Sequence, residues 1–289
     1  MPIHPLDYFD KLIKKIEDDW EDVAKDLSQE LRYIERGSLL NPTITFKRLK
    51  NLWTSKENRK KVMRTQLVYE YLRYVKKIEL NENEVLSLLL MDAIINSTDD
   101  LIDNYENKAI VYGNAVVMLF SFIYMIETSA KFPREIIRSI AEIGKSYLIR
   151  MSQIPRIEEE YFKKIKECRT EDEIVQYLGE SLRFRGSDIE YFGRMCEVFG
   201  KCEKEDVNIL IDIRTLQLFY KDLYDLEWDI KNKTKTPLVS AFSKLSRKKF
   251  EEVTREVHLG LQSSMKRYDE RVREFMNRLE KKFKNVYLK

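Results

Sequence analysis

The sequence predicts an all-α fold, and three observations carry the prediction. Glycine and proline are scarce, at 8 and 6 of 289 residues, less than half the ~12 % of an average chain. Sheet proteins and alternating strand–helix folds need more turn residues than that. Apolar residues recur at helical spacing over long stretches and make up 43 % of the chain, enough for a sizeable core. Charged residues, at 35 %, suit solvated helix faces, and the balance argues against bulk disorder.

The elements follow in order. Leu6 to Ile34 carries apolar positions every three or four residues, Leu6, Phe9, Leu12, Ile16 and Trp20 among them. Asn41-Pro42 is a cap and first-turn proline opening a short helix to Trp53. Ser55 opens another, to about Ile78, and Asn81 the next. The middle of that one, Val85 to Ile95, is nearly all apolar, the mark of a helix buried at the centre of a bundle. Ala109 to Ile126 is the longest apolar stretch. Its length allows a membrane helix, but no second such segment follows. It therefore reads as a buried helix, and no transmembrane segment is expected. Then come Pro133–Ile154, Arg156–Ile165, Thr170–Phe199 and Glu203–Ile230, a short helix opened by Thr236-Pro237, and a last one from Ser246 to about Val286. No repeat or low-complexity linker divides the chain, so residues 1–289 read as one domain.

Net charge is +3, from 52 basic and 49 acidic residues. That near-balance makes no case for nucleic acid as a partner. The cysteines are Cys168, Cys196 and Cys202, an odd number with no CxxC. They fit a reduced, cytoplasmic setting and neither a disulfide framework nor a zinc site. The first residues carry no basic-then-apolar signal region.

Two acidic clusters stand out. The apolar central helix runs into Asp99-Asp100-Leu101-Ile102-Asp103. Residues four apart share a helix face, so Asp99 and Asp103 point the same way with Asp100 beside them. Like carboxylates repel, and a hard divalent cation is the natural counter-charge, since Mg²⁺ takes a few carboxylates and completes its shell with water and phosphate oxygens. The second cluster is Asp222, Asp225 and Asp229, at i, i+3 and i+7, with Lys233 and Lys235 following. Such clusters with lysines nearby suit a Mg²⁺–diphosphate clamp. Each cluster alone is also what a solvated helix end or an amphipathic helix gives. Their pairing, and the buried helix before the first, favour the metal.

On these residues the chain resembles the class I isoprenoid synthases, specifically the trans-prenyl diphosphate synthases. Asp99–Asp103 matches the family's first aspartate-rich motif, DDxxD, in full. Lys61-Val62-Met63-Arg64-Thr65 is similar to its Gly-Lys-x-x-Arg-Pro segment, which binds the diphosphate of isopentenyl diphosphate. Asp229-Ile230-Lys231-Asn232-Lys233-Thr234-Lys235-Thr236-Pro237 is similar to its Asp-Leu-x-x-x-Lys-x-Thr-x-Pro run. There are departures. Lys221 holds the place of the second motif's first aspartate, and Asp92 stands where a His or Gln is usual. No Arg pair follows Asp103, and the mid-chain Lys-Thr pair is absent, with Arg183 and Arg185 as substitutes or as a solvated face.

The resemblance implies an isoprenoid-synthase helical bundle with a central cavity, assembled as a homodimer. It implies a Mg²⁺-dependent prenyltransferase joining an allylic prenyl diphosphate to isopentenyl diphosphate. Asp99, Asp103, Asp225 and Asp229 would ligate three Mg²⁺ ions together with diphosphate, and Asp100 and Asp222 would complete the catalytic carboxylates. Lys61, Arg64, Arg183, Arg185, Lys233 and Lys235 would hold the diphosphates. Ile94 and Ile95, just before the first motif and not aromatic, imply an open pocket and a product of twenty carbons or more. The Asp225/Asp229 spacing is also similar to squalene and phytoene synthases and to terpene cyclases, so an allylic-only enzyme stays open. Lys221 leaves open a regulatory subunit that has lost catalysis.

Overall fold

In the computed structural model the described residues are 4–30, 63–103 and 108–287; at some of these, Asp99–Asp103 among them, only the backbone is described. They are helical, with no strand among them. The helix expected over Asn41–Trp53 lies outside the described residues. Contacts divide the chain into two compact units, residues 1–70 with 78–137, and residues 71–77 with 138–289.

The first unit holds α1 (Pro5–Glu30), α2 (Met63–Tyr71) up to Glu70, α3 (Glu82–Asp103) and α4 (Lys108–Ser129). Asn81 starts α3 with a reciprocal cap: its Oδ1 accepts from Glu84 N at 3.0 Å, and Glu84 Oε2 accepts from Asn81 N at 2.7 Å. Leu88, Leu89 and Leu90 of α3 are fully buried, so truncating any one of them costs about 2–5 kcal/mol. α3 packs most extensively on α4. The expectation that α4 is a buried helix needs correction. Val117, Phe120 and Tyr124 are buried at three- and four-residue spacing, but Leu119, Phe122, Ile123 and Ile126 are exposed. A helix packed along one side buries one stripe, however apolar the rest. α1 buries Phe9, Leu12, Ile13 and Ile16. It meets α4 through an ion pair between Lys15 and Glu127 at 3.3 Å and a hydrogen bond from the Tyr124 hydroxyl to Asp19.

In the second unit the π-helical turn Leu72–Lys76 is tied down by Asp206, which accepts from the Tyr71 hydroxyl and pairs with Lys76 at 3.0 Å. The helices are α5 (Arg134–Met151, in this unit from Arg138), α6 (Ile154–Glu167), α7 (Glu171–Gly186), α8 (Glu190–Val198), α9 (Lys204–Lys231), α10 (Pro237–Lys244), α11 (Arg247–Met265) and α12 (Glu270–Tyr287). α9 is the hub and packs on α7, α8, α10, α11 and α12.

Two expected helices are broken. Thr170–Phe199 is cut by a 3₁₀ turn, Ser187–Ile189, after Gly186. There α7 crosses α9 so closely that a Cβ on Gly186 would collide with the Thr215 hydroxyl and come within 3.0 Å of Thr215 N. Ser246–Val286 is cut between Met265 and Glu270, where Asp269 Oδ1 accepts from Val272 N at 2.9 Å and starts α12. Among the described residues no helix is long and apolar enough to cross a membrane.

Candidate functional site

The second acidic cluster lies on the last turns of α9, where the helix leaves the core. Residues from Asp206 to Tyr220 are mostly buried, whereas Lys221 to Lys231 are partly or wholly exposed. Arg185 of α7 reaches the cluster. Its Nη1 and Nη2 donate to both oxygens of Asp222, at 2.5 and 3.1 Å, and its Nε pairs with Glu158 of α6 at 2.8 Å. Burial works against the Arg185 charge, but Asp222 and Glu158 outweigh it and hold the guanidinium firmly protonated. Lys221 pairs with Asp225, one turn on, at 3.0 Å.

Asp229 sits at the crowded end. Burial first, then the charges of Asp225 and Asp222, push its carboxyl above the usual range, against Lys221 and a hydrogen bond from Thr234. After Asn232 the chain turns sharply. Lys233 has φ of 57°, a left-handed conformation costing a non-glycine residue about 1–2 kcal/mol. Thr234 N donates to Asp229 O at 2.9 Å, and Thr236 caps α10 by accepting from Val239 N at 3.3 Å. Lys233 and Lys235 are exposed, and Lys235 lies close enough to influence Glu159.

Among the described residues no group of three or more His, Cys, Asp or Glu is arranged to hold a metal ion. The donor chemistry sharpens this. Asp222 does not fit as a ligand, because Arg185 takes both its oxygens. Asp225 and Asp229 fit as a two-carboxylate ledge, since Mg²⁺ needs only one or two carboxylates when phosphate oxygens and water complete the shell. After burial, the charges of Asp225 and Asp222 raise the Asp229 carboxyl, and a cation would relieve that repulsion.

The first cluster is seen only as backbone: Asp99, Asp100 and Asp103 occupy the C-terminal turns of α3, and their side chains lie outside the described residues, as does all of Lys61. Upstream on α3, Ile94 is buried and Ile95 half-buried. Asp92 is fully buried and holds Arg64, whose Nη1 pairs with its Oδ1 at 3.1 Å and reaches Asn96 Oδ1 at 3.3 Å. Asp92 Oδ2 accepts from Thr65 N at 2.8 Å and Thr65 Oγ1 at 2.7 Å. Burial nonetheless pushes the Asp92 carboxyl up, with Arg64 and Thr65 opposing.

Arg183 and Arg185, two residues apart on α7, part company. Arg183 pairs at 2.5 Å with buried Asp212, which also takes Arg267 at 2.8 Å and the Tyr268 hydroxyl at 2.7 Å. Burial and Asp212 push the Tyr268 hydroxyl up to about 12. Glu158 of α6 and Asp212 of α9 are neighbours that spacing could not identify, because the arginines they hold come from α7 and from the turn after α11. Comparison with family models, with curated proteins and with solved structures finds no match.

Proposed function

We propose that the protein is a Mg²⁺-dependent class I prenyltransferase that joins an allylic prenyl diphosphate to isopentenyl diphosphate, with a product of twenty carbons or more. The reading carries with it the isoprenoid-synthase fold. The observation that supports it most is the α9 ledge, where Asp225 and Asp229 stand one turn apart at the end of the helix, burial and then Asp225 raise the Asp229 carboxyl, and two exposed lysines follow.

Asp225 and Asp229 would hold the metal, and the reading gives Asp99 and Asp103 the same role on α3. Bound Mg²⁺ supplies charge to diphosphate oxygens and makes diphosphate a better leaving group. Lys233 and Lys235 add positive charge to the departing group. The allylic C–O bond breaks with its electron pair going to diphosphate, a C–C bond forms to the terminal carbon of isopentenyl diphosphate, and the proton then lost goes to the departing diphosphate. Asp222 and Arg185 act by fixing the end of α9. Ile94 and Ile95 leave room for a long chain.

A second reading, an allylic-only enzyme, is favoured by one observation. Asp92 neutralises Arg64, the cation that would hold the homoallylic diphosphate. The test is an incubation with Mg²⁺ and C10, C15 or C20 allylic diphosphate, each with and without isopentenyl diphosphate, read by mass spectrometry, with Asp99→Ala and Asp225→Ala as controls. Longer diphosphates only when isopentenyl diphosphate is present support elongation. Hydrocarbon or alcohol without it moves the assignment to the allylic-only class. No product under any condition overturns both and leaves a regulatory subunit.

A further inference from the structure

α7 sends its two arginines to different carboxylates. Arg185 goes to Asp222 and Glu158, and Arg183 goes to Asp212. On the Arg183 side lies an open cavity of about 710 Å³ walled by α5 to α9, within the size range of small-ligand sites. Four cations line it, Arg150, Arg183, Arg194 and Lys204, against the three carboxylates Glu180, Glu190 and Glu197.

The way the arginines are partnered matters more than the count. Glu190 takes both Arg150 and, at 3.7 Å, Arg194. Asp212 takes both Arg183 and Arg267, and a tyrosine hydroxyl besides. In each case two guanidiniums share one carboxylate. A guanidinium has five N–H donors and a carboxylate about four acceptor sites, so each pair keeps donors over, and with Lys204 set against Glu180 and Glu197 one positive charge is left over in all. Arg183 and Arg194 are about half exposed, at 51 % and 46 %, and both line the cavity. Glu180 is partly occupied by hydrogen bonds from Tyr161 at 3.3 Å and Gln176 at 2.8 Å. The rest of the wall mixes polar Ser187, Asn208 and Glu197 with an aromatic and apolar part. Arg150 lies 5.8 Å over the Phe184 ring, and Tyr161, Val207 and Ile211 line the cavity with it.

We propose that this cavity binds an organic phosphate, with the phosphate on Arg183, Arg194 and Lys204 and a planar or apolar body against Phe184 and Tyr161. Guanidinium forks match phosphate oxygens two at a time, and an aromatic wall beside them selects an ester over the free anion. The site needs no metal and none of Asp222, Asp225 and Asp229; of the residues that the transferase reading gives to diphosphate only Arg183 lines it, and binding measured without metal separates the two.

The probe is phenyl phosphate, titrated calorimetrically into the full chain in EDTA, with inorganic phosphate and phenol as its two halves. Saturable binding is expected for phenyl phosphate, at least tenfold tighter than for either half. Arg194→Gln and Lys204→Gln each weaken it at least tenfold, while Arg255→Gln, exposed on α11, leaves it unchanged. All three positions are at the surface, and unchanged melting temperatures establish that the variants fold. Four results overturn the proposal: no saturable binding, equal affinity in Arg194→Gln and Lys204→Gln, binding that appears only with Mg²⁺, or inorganic phosphate binding as tightly as the ester.

Discussion

Asp92 in the first unit and the Asp222–Asp225–Asp229 cluster in the second are both places where acids meet arginine, and they are built to opposite ends. Asp92 is one fully buried carboxylate given a guanidinium, a backbone N–H and a hydroxyl, all within 3.1 Å. Its lone pairs are met from within, and it has no capacity for a ligand. On α9 three carboxylates, with Glu158 behind them, share the two cations Arg185 and Lys221. That group carries excess negative charge at the surface. A carboxylate that holds a fold together is matched by its own chain, and one that recruits a cation is left short.

The comparison breaks most visibly at Asp92. Asp92→Ala strands Arg64 and Thr65 in the core and should cost about 3–5 kcal/mol, read by urea unfolding. Asp92→Asn keeps the shape and should cost less. A loss below about 1 kcal/mol for the alanine variant would mean the pair is not structural. Glu280 extends the same test by pH. Burial opposes its charge, but Lys284, Tyr220, Gln262 and His258 hold it ionised down to about 2, from an ordinary 4.5. An acid lowered on folding stabilises above its unfolded value. The contribution is therefore complete above pH 4.5 and lost as pH falls towards 2, and Glu280→Gln should flatten the stability curve over that window.

The α9 cluster should answer the other way. Lys221→Asp removes the cation on Asp225 and should strengthen stabilisation by Mg²⁺ roughly tenfold in apparent affinity, about 1.4 kcal/mol, read as the melting shift against metal concentration. Asp229 has a raised carboxyl, so its ionised form costs stability and the cost is relieved as pH falls. Asp229→Asn should slightly stabilise the protein in EDTA while abolishing the Mg²⁺-induced shift. An unchanged shift would remove Asp229 from the metal site. The smallest effect is at Lys233. Lys233→Gly relieves its left-handed backbone and should gain about 0.5–1 kcal/mol but weaken diphosphate binding, as expected where strain is kept for function.

Much of the fold was legible because capping and periodicity are local. Thr170 with Glu173, Asn81 with Glu84, and Thr236-Pro237 mark helix starts in the sequence, and the caps form there. The break at Gly186 was not legible, because its cause is Thr215 on another helix. The exposed stripe of α4 was not legible either, since an apolar residue does not say whether a neighbour covers it. Of the candidate site, the spacing of Asp222, Asp225 and Asp229 on one face was readable. That Arg185 would occupy Asp222, and Asp92 would occupy Arg64, was not.

The sequence by itself determined the helices, most of their ends and the placement of acids along a face, because hydrogen bonds and side-chain periodicity act within a few residues. Only the tertiary structure decided which charges cancel. Asp92 and Arg64 are joined across two helices, Arg183 and Arg185 are parted to different carboxylates, and Glu190 and Asp212 are each shared by two arginines. The charge left over at a site depends on distances between residues far apart in the chain, and no spacing encodes those.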